Sequence, residues 1–317
     1  MADFRHISAA TLQATEYIQA RKDCKLPSAR TGFTKLDDHL LDGIPWGNIV
    51  SICGGSSAGK SSILEQIKYN IIDNDPDVMA LSYEMEMSST TQVMRALCRN
   101  TGIGIKTLKS ARGYVITEEE DKLVKEELER ISKKNVFTID QSITVSQMEK
   151  SIYDFIIEYD IQETKKKILI TIDYAGLIEQ SAGEDDRIAL NNLYKMFIRV
   201  KNNLSLQNIP IIIIPLLQTN RNAFTPERAK NPAMHYPSPA DIAGSSFPFN
   251  SSDIVIFSSN PSKISGIGDT YGQYNLPVKH YLSGNPYVYL HLLKNREGSN
   301  PVIEMMTDFS RFRLLDI

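Results

Sequence analysis

Residues 49–61 read Ile49-Val50-Ser51-Ile52-Cys53-Gly54-Gly55-Ser56-Ser57-Ala58-Gly59-Lys60-Ser61. The first five are small or β-branched and predict a buried strand. After the glycines comes a helix whose Ile63, Leu64, Ile67 and Ile71 share one face. From Gly54 to Ser61 the chain satisfies G-x-x-x-x-G-K-[ST] in full, in the strand–loop–helix context that gives the pattern its meaning. Backbone N–H groups from Gly54 and Ser56 through Ser62 would wrap a β-phosphate, and the helix N-terminus adds its positive dipole end. Lys60 would reach the β- and γ-phosphates, and the Ser61 hydroxyl would ligate Mg²⁺. The competing reading, a glycine-rich turn that merely spells the motif, does not explain the strand before it and the amphipathic helix after it.

Outward from this loop, apolar runs alternate with helical periodicity. Val78 to Ser82 reads as a strand and Ser88 onward as a helix. Thr117 and Glu120 form a capping box for a charged helix through Arg130. Strand Val136 to Ile139 precedes a helix with Met148, Ile152, Phe155 and Tyr159 inward. Ile168 to Ile172 is continuously apolar, as in a strand covered on both faces, and a long helix through Leu193, Phe197, Val200 and Leu204 leads to strand Ile211 to Ile214. This alternation predicts an α/β fold with a mainly parallel twisted sheet flanked by helices. Beyond Asn220 the texture changes. Pro, Ser and Asn dominate 226–252, then Asp253 to Phe257, Tyr287 to Leu293 and Val302 to Met306 predict strands, the last two joined as an antiparallel hairpin at Glu297-Gly298-Ser299. Residues 1–28 stand apart as an N-terminal arm whose Ala9 to Lys22 is helical, either packed on its own domain or docked on a neighbour; residues 29–317 form the main domain.

A P-loop needs a second acid for its metal. Asp173 supplies one, at the carboxyl end of the Ile168 to Ile172 strand where ligands of such sheets collect. Its structural alternative is a turn cap. Glu84, in Ser82-Tyr83-Glu84-Met85, could polarise a water for attack on the γ-phosphate; alone it also reads as a surface glutamate.

With 42% hydrophobic and 23% charged residues over 317 positions, the composition is that of an ordinary globular protein. Thirty-five basic residues against 38 acidic ones give a formal net charge of -3, which argues against a protein that grips duplex DNA over its whole surface. The three cysteines Cys24, Cys53 and Cys98 are widely spaced and fit reduced residues. No run approaches a membrane span, the longest being Ile209 to Leu217, and the start lacks a signal-peptide core. The expectation is a soluble cytoplasmic protein with no membrane partner.

These residues converge on a family. From about Thr31 to the C-terminus the chain resembles the ATPase domain of DnaB-type replicative helicases, the RecA-like hexameric motors common in bacteria and their phages. Thr31-Gly32-Phe33-Thr34-Lys35-Leu36-Asp37 is similar to the family's lead-in segment, and Ser82-Tyr83-Glu84-Met85 to the element that carries its catalytic glutamate. Ile172-Asp173-Tyr174 resembles its Walker B. Gln218-Thr219-Asn220-Arg221 is similar to the motif whose glutamine senses the γ-phosphate, and Lys294-Asn295-Arg296 to the K-x-R that reaches the adjacent subunit's nucleotide. By itself that last triplet is a solvated basic strand edge. By position, 241–253 corresponds to the family's central DNA-binding loop, with Gly244-Ser245-Ser246 offering backbone N–H groups and hydroxyls to phosphate; read alone, it is a flexible surface loop.

The resemblance implies a RecA-like P-loop core that hydrolyses ATP with Mg²⁺, assembles as a homohexamer with shared active sites, and translocates on single-stranded DNA to unwind duplex during replication. Catalytic roles fall to Lys60, Glu84, Asp173, Gln218, Lys294 and Arg296, the last acting in trans. DNA contacts fall to Arg221, Gly244, Ser245 and Ser246. Primase, polymerase or a helicase loader would be further partners. Pro215-Leu216-Leu217 before Gln218, the uncharged loop at Ala243-Gly244, and the long Gly/Pro/Tyr-rich stretch 259–284 depart from the family pattern. The sequence carries no collar or primase domain, so a stand-alone, phage-like form is expected, with Ala9 to Lys22 similar to the family's linker helix. Two other readings remain open here: a RecA/KaiC-like recombination or mediator ATPase that binds single strands without unwinding, and a non-hydrolysing nucleotide-dependent assembly factor.

Overall fold

The computed structural model describes residues 6–25, 27–110, 116–181, 183–220, 225–244, 246–281 and 283–317. In chain order its first half runs α1 (Ile7–Lys22), α2 (Thr34–His39), β1 (Val50–Gly54), α3 (Lys60–Asn74), β2 (Val78–Glu84), α4 (Ser89–Thr101), α5 (Ile105–Leu108), α6 (Glu118–Ser132), β3 (Val136–Ile139), α7 (Val145–Glu158) and β4 (Lys167–Asp173). The second half runs α8 (Asp186–Leu206), β5 (Ile211–Gln218), α9 (Pro226–Lys230), α10 (Ser246–Ser251), β6 (Ile254–Ser259), β7 (Thr270–Tyr271), β8 (Leu276–Pro277), β9 (Tyr287–Asn295), β10 (Val302–Asp308) and β11 (Arg313–Asp316).

Nine strands form one sheet in the order β11-β10-β9-β6-β1-β5-β4-β2-β3. The six from β6 to β3 are mutually parallel, while β9, β10 and β11 continue it antiparallel, so the predicted architecture and the C-terminal hairpin are both present. Strands β1, β2 and β6 are buried along their whole length, and helices cover both faces of the sheet. One core packs α7 and α8, through Met148, Ile152, Phe155, Leu193, Phe197 and Val200, against Ile168, Ile170 and Ile172. The other packs α3, through Ile63, Leu64, Ile67 and Ile71, against Val50, Ile52, Ile212 and Ile214. Helix starts follow their capping residues: Thr117 with Glu120, and Thr144 with Gln147, each close a reciprocal box.

Several sequence expectations are extended or corrected. Strand β5 does not stop at Ile214 but runs through Pro215 to Gln218. The missing proline N–H is tolerated because the ladder with β4 ends at Ile172↔Pro215 and the one with β1 resumes at Leu216. Stretch 259–284, for which the sequence suggested no role, builds a satellite core in which Tyr271 and Val278 pack with Tyr287, Tyr289 and Tyr236. Helix α1 has no buried residue, so it is not packed into its own domain's core. Among the described residues no helix is long and apolar enough to cross a membrane.

Candidate active site

The connection from β5 to β6 crosses β1, so the sheet changes winding direction at the strand that carries the P-loop, where ligands of such folds bind. The carboxyl ends of five strands meet at one edge of the sheet, with Glu84 opposite Asp173, and Gln218 opposite Gly54, which in turn lies opposite Ser258. Over this edge opens a cleft of about 460 Å³, lined by Ser56 to Ser62, Glu86, Arg95, Asp173, Tyr174, Gln218, Lys263, Phe309 and Phe312. Two P-loop glycines are required. A Cβ on Gly54 would lie 2.5 Å from the Ser258 carbonyl oxygen, and Gly59 caps α3 at φ 82°, in left-handed backbone.

Lys60 Nζ donates to the Gly54 and Gly55 carbonyls at 2.8 and 2.9 Å, across the mouth of the phosphate cradle. Burial lowers its pKa, and the Asp173 carboxylate opposes that shift. Burial raises the Asp173 carboxyl, while a hydrogen bond from Ser61 pulls it down. Asp173 Oδ2 is buried with no partner. A hydroxyl beside a carboxylate with a free buried oxygen suits Mg²⁺ that keeps waters and phosphate oxygens as its other ligands. Among the described residues no group of three or more His, Cys, Asp and Glu could hold a metal without them.

The two glutamates after β2 have different surroundings. Glu84, only 2% exposed, faces inward: its carboxylate lies 3.3 Å from Lys68 Nζ and accepts from Gln92 Nε2 at 2.7 Å. Burial pushes its carboxyl up to about 7, against the pull of Lys68. It does not line the cleft; Glu86 does. The loop that carries Glu86 is fixed by the Met85 and Glu86 N–H groups, both donating to the Asp173 carbonyl at 2.9 and 3.2 Å. Sequence reading misses Glu86, although the acid–methionine pair occurs twice in succession, as Glu84-Met85-Glu86-Met87. It also misses Arg95 and Lys263 on the cleft wall, and the aromatic rim of Phe309 and Phe312, the latter ring 5.0 Å from the Arg95 guanidinium.

Gln218 hydrogen-bonds Tyr174, next to the metal acid. Its carbonyl accepts from Ala243 N–H at 3.0 Å, and Thr219 bridges Ile242, so the segment that enters the Gly244 loop is tied to the end of β5. Arg221 and Ser245 lie outside the described residues; Gly244 follows this tie, and Ser246 is the first residue of α10.

Lys294 and Arg296 are not in the cleft. Strand β9 runs antiparallel to β6, and Lys294 pairs with Val255, at the amino end of the sheet. From Asp253, which accepts from Arg296 N–H, to Ser258 beside the P-loop is five residues of strand, about 16 Å at ~3.3 Å each. Neither side chain reaches its own phosphate cradle. Arg296 is half-exposed and pairs with Asp253 at 2.9 Å, while Lys294 Nζ donates to the Phe249 and Asn250 carbonyls at 3.0 and 2.9 Å.

No curated protein matches the sequence. Among solved structures, one described as an ATPase domain superposes with a TM-score of 0.80 at 19% identity, covering 99% of this chain and 100% of that one. A DnaB-like replicative helicase, described together with its interactions with primase, superposes with a TM-score of 0.75 at 18% identity, covering 100% of this chain and 68% of that one. These likenesses establish the RecA-like fold. The profile of the "DnaB-like helicase C terminal domain" matches residues 28–313 and favours the helicase reading over strand exchange or passive assembly. The chain therefore belongs to the DnaB-like helicase C-terminal domain family, the ATP-driven, oligomeric DNA motors of replication.

Proposed function

We propose that six copies of residues 29–317 form a ring around single-stranded DNA, with each cleft completed by Arg296 and Lys294 of the next subunit and the 1–28 arm docked on a neighbour. The observation that carries this reading is the separation of the K-x-R pair from its own P-loop by the length of β6. Exposed Ile7, Leu12 and Ile18 on a helix with no buried residue support the docked arm.

Mg·ATP is the substrate. Lys60 and the P-loop amides hold the phosphates, Ser61 and Asp173 would hold the metal, and Phe309 offers an aromatic face at the rim of the cradle. Glu86, rather than Glu84, takes the proton of the attacking water as its oxygen bonds to the γ-phosphorus and the bridging P–O bond to the β-phosphate breaks. Arg296 in trans stabilises the charge that develops on the transferring group. Gln218 relays the loss of the γ-phosphate to the Gly244–Ser246 segment, which meets DNA through backbone and hydroxyl groups. Binding is therefore indifferent to sequence and weakens with salt. Primase, polymerase and a loader are the partner classes such a motor meets at a fork; a primase is the one named for the structurally similar helicase.

Strand displacement on forked DNA tests the reading. The wild type should unwind, K60A and R296A should not, and mixing the two variants should restore part of the ATP hydrolysis. No recovery would overturn the trans role, and hydrolysis on single strands without displacement would overturn unwinding.

A further inference from the structure

Asp253 is a buried carboxylate with more partners than a strand-leading acid needs. Its Oδ2 accepts from Lys201 Nζ of α8 and from the Ile49 N–H just ahead of β1, both at 2.9 Å. Its Oδ1 holds Arg296 Nη1, also at 2.9 Å, and its backbone carbonyl accepts from the Arg296 N–H. Both the side chain and the main chain of Arg296 are thus fixed by this one residue. Lys201 and the Ile49 amide, meanwhile, keep the carboxylate from following the arginine outward. The carboxylate is 6% exposed and Arg296 55%, so the anchor is inside and the cation at the surface.

The same residue ends the strand-binding segment. The chain before Asp253 is tied to the end of β5 where the Ala243 N–H donates to the Gln218 carbonyl, and it runs through α10 to reach Asp253 directly ahead of β6. Lys294 clamps the other side of this connection: its ammonium caps the Phe249 and Asn250 carbonyls at the end of α10 and lies 5.4 Å from the Phe249 ring centroid. The segment is therefore held at one end by Gln218 and at the other by Lys294 and, through Asp253, by Arg296.

We propose that Asp253 is a positioning residue for Arg296 and, with Lys294 of β9 capping α10, mechanically joins DNA contact at the segment leading into α10 to placement of the finger in the adjacent subunit's cleft. This rests on the trans role of Arg296. A guanidinium on a flexible stem stabilises a transition state only where its geometry is fixed beforehand, and a displacement of about 1 Å costs on the order of 100-fold in rate. The buried carboxylate supplies that constraint, and its place in the chain makes the constraint responsive to the strand.

The test is Asp253→Asn, measured as DNA-stimulated ATP hydrolysis alone and mixed with K60A subunits, whose fingers are intact but whose own sites are dead. D253N alone should lose stimulated kcat by about 100-fold, with KM for Mg·ATP unchanged within about two-fold. Mixing with K60A should restore hydrolysis, because D253N sites are then served by unaltered fingers; mixing D253N with R296A should not. A merely structural role would not give rescue by one partner and none by the other. Should D253N fail to fold, Asp253→Glu, which keeps the charge but moves it by one methylene, gives the same pair of mixtures. Full activity of a folded Asp253 variant, or inactivity that K60A does not rescue, overturns the proposal. Full activity of R296A alone would instead overturn the trans finger on which it rests.

Discussion

Lys68 Nζ lies 3.3 Å from Glu84 Oε1 in a region where both side chains are at most 2% exposed, so the glutamate that ends β2 is engaged with the P-loop helix rather than with the nucleotide cleft. That pairing gives two acids only two residues apart different surroundings. Glu86 stands over the cleft, held there by the Asp173 carbonyl. Glu86→Gln should therefore lower kcat by about 10²- to 10⁴-fold while nucleotide still binds, and Glu84→Gln should leave hydrolysis per folded molecule within about ten-fold. Single-turnover ATP hydrolysis on the two variants decides it; the reverse ranking would return the catalytic role to Glu84.

The same cluster predicts an asymmetry in stability. Lys68 also touches Glu65, at 2.6 Å, so one buried ammonium serves two carboxylates. Burial pulls the ammonium down, but Glu65 and Glu84 outweigh it and hold its pKa above the ordinary lysine value. Lys68→Met leaves both acids without their cation and should cost about 3–5 kcal/mol. Glu84→Gln leaves a one-to-one pair and retains hydrogen-bonding atoms for Gln92 and Lys68, so it should cost about 1 kcal/mol or less. Urea unfolding of both variants checks the order; equal losses would show that the cluster is not charge-limited.

Much of this fold was legible in advance because parallel strands covered on both faces must be nearly continuously apolar, and 49–53 and 168–172 are, apart from Ser51 and Thr171. The phosphate cradle was legible because its chemistry tolerates few residue types at fixed spacing. What local pattern left open has physical reasons. Pro215 argues against a central strand unless one knows that two ladders hand over at that residue. Choosing between Glu84 and Glu86 requires knowing which one meets Lys68, a contact across 16 or 18 residues of chain that local pattern does not encode. Stretch 259–284 owes its order to aromatic contacts such as Tyr271 with Tyr236 and His291, distant in sequence and without period.

Gln218 touches Tyr174 through its side chain and, through its main chain, the segment proposed to meet DNA. Only the first link is lost in Gln218→Ala. Hydrolysis without DNA should then persist within about ten-fold, whereas stimulation by single-stranded DNA should fall to near unity, since sensing and segment movement are no longer joined. ATPase assays with and without oligonucleotide separate the outcomes; intact stimulation in Q218A would place the sensor elsewhere.

His291 makes acid stability a probe of the C-terminal sheet. It is 4% exposed, its Nε2 is 3.0 Å from the Tyr271 hydroxyl, and burial lowers its pKa from 6.5 to about 3. The unfolded chain takes up this proton near pH 6.5 and the native chain only far lower. Acid therefore favours the unfolded state: the contribution is complete above pH 6.5 and is lost progressively toward pH 3. Between pH 7 and pH 5 the loss is about 2 kcal/mol, at about 1.4 kcal/mol per pH unit once below the unfolded pKa. His291→Gln keeps a partner for Tyr271 and removes the titration, so over the same interval it should lose about 2 kcal/mol less stability than the wild type. Denaturant unfolding at the two pH values measures that difference, and an identical loss in both proteins would mean that His291 is protonated in the native sheet.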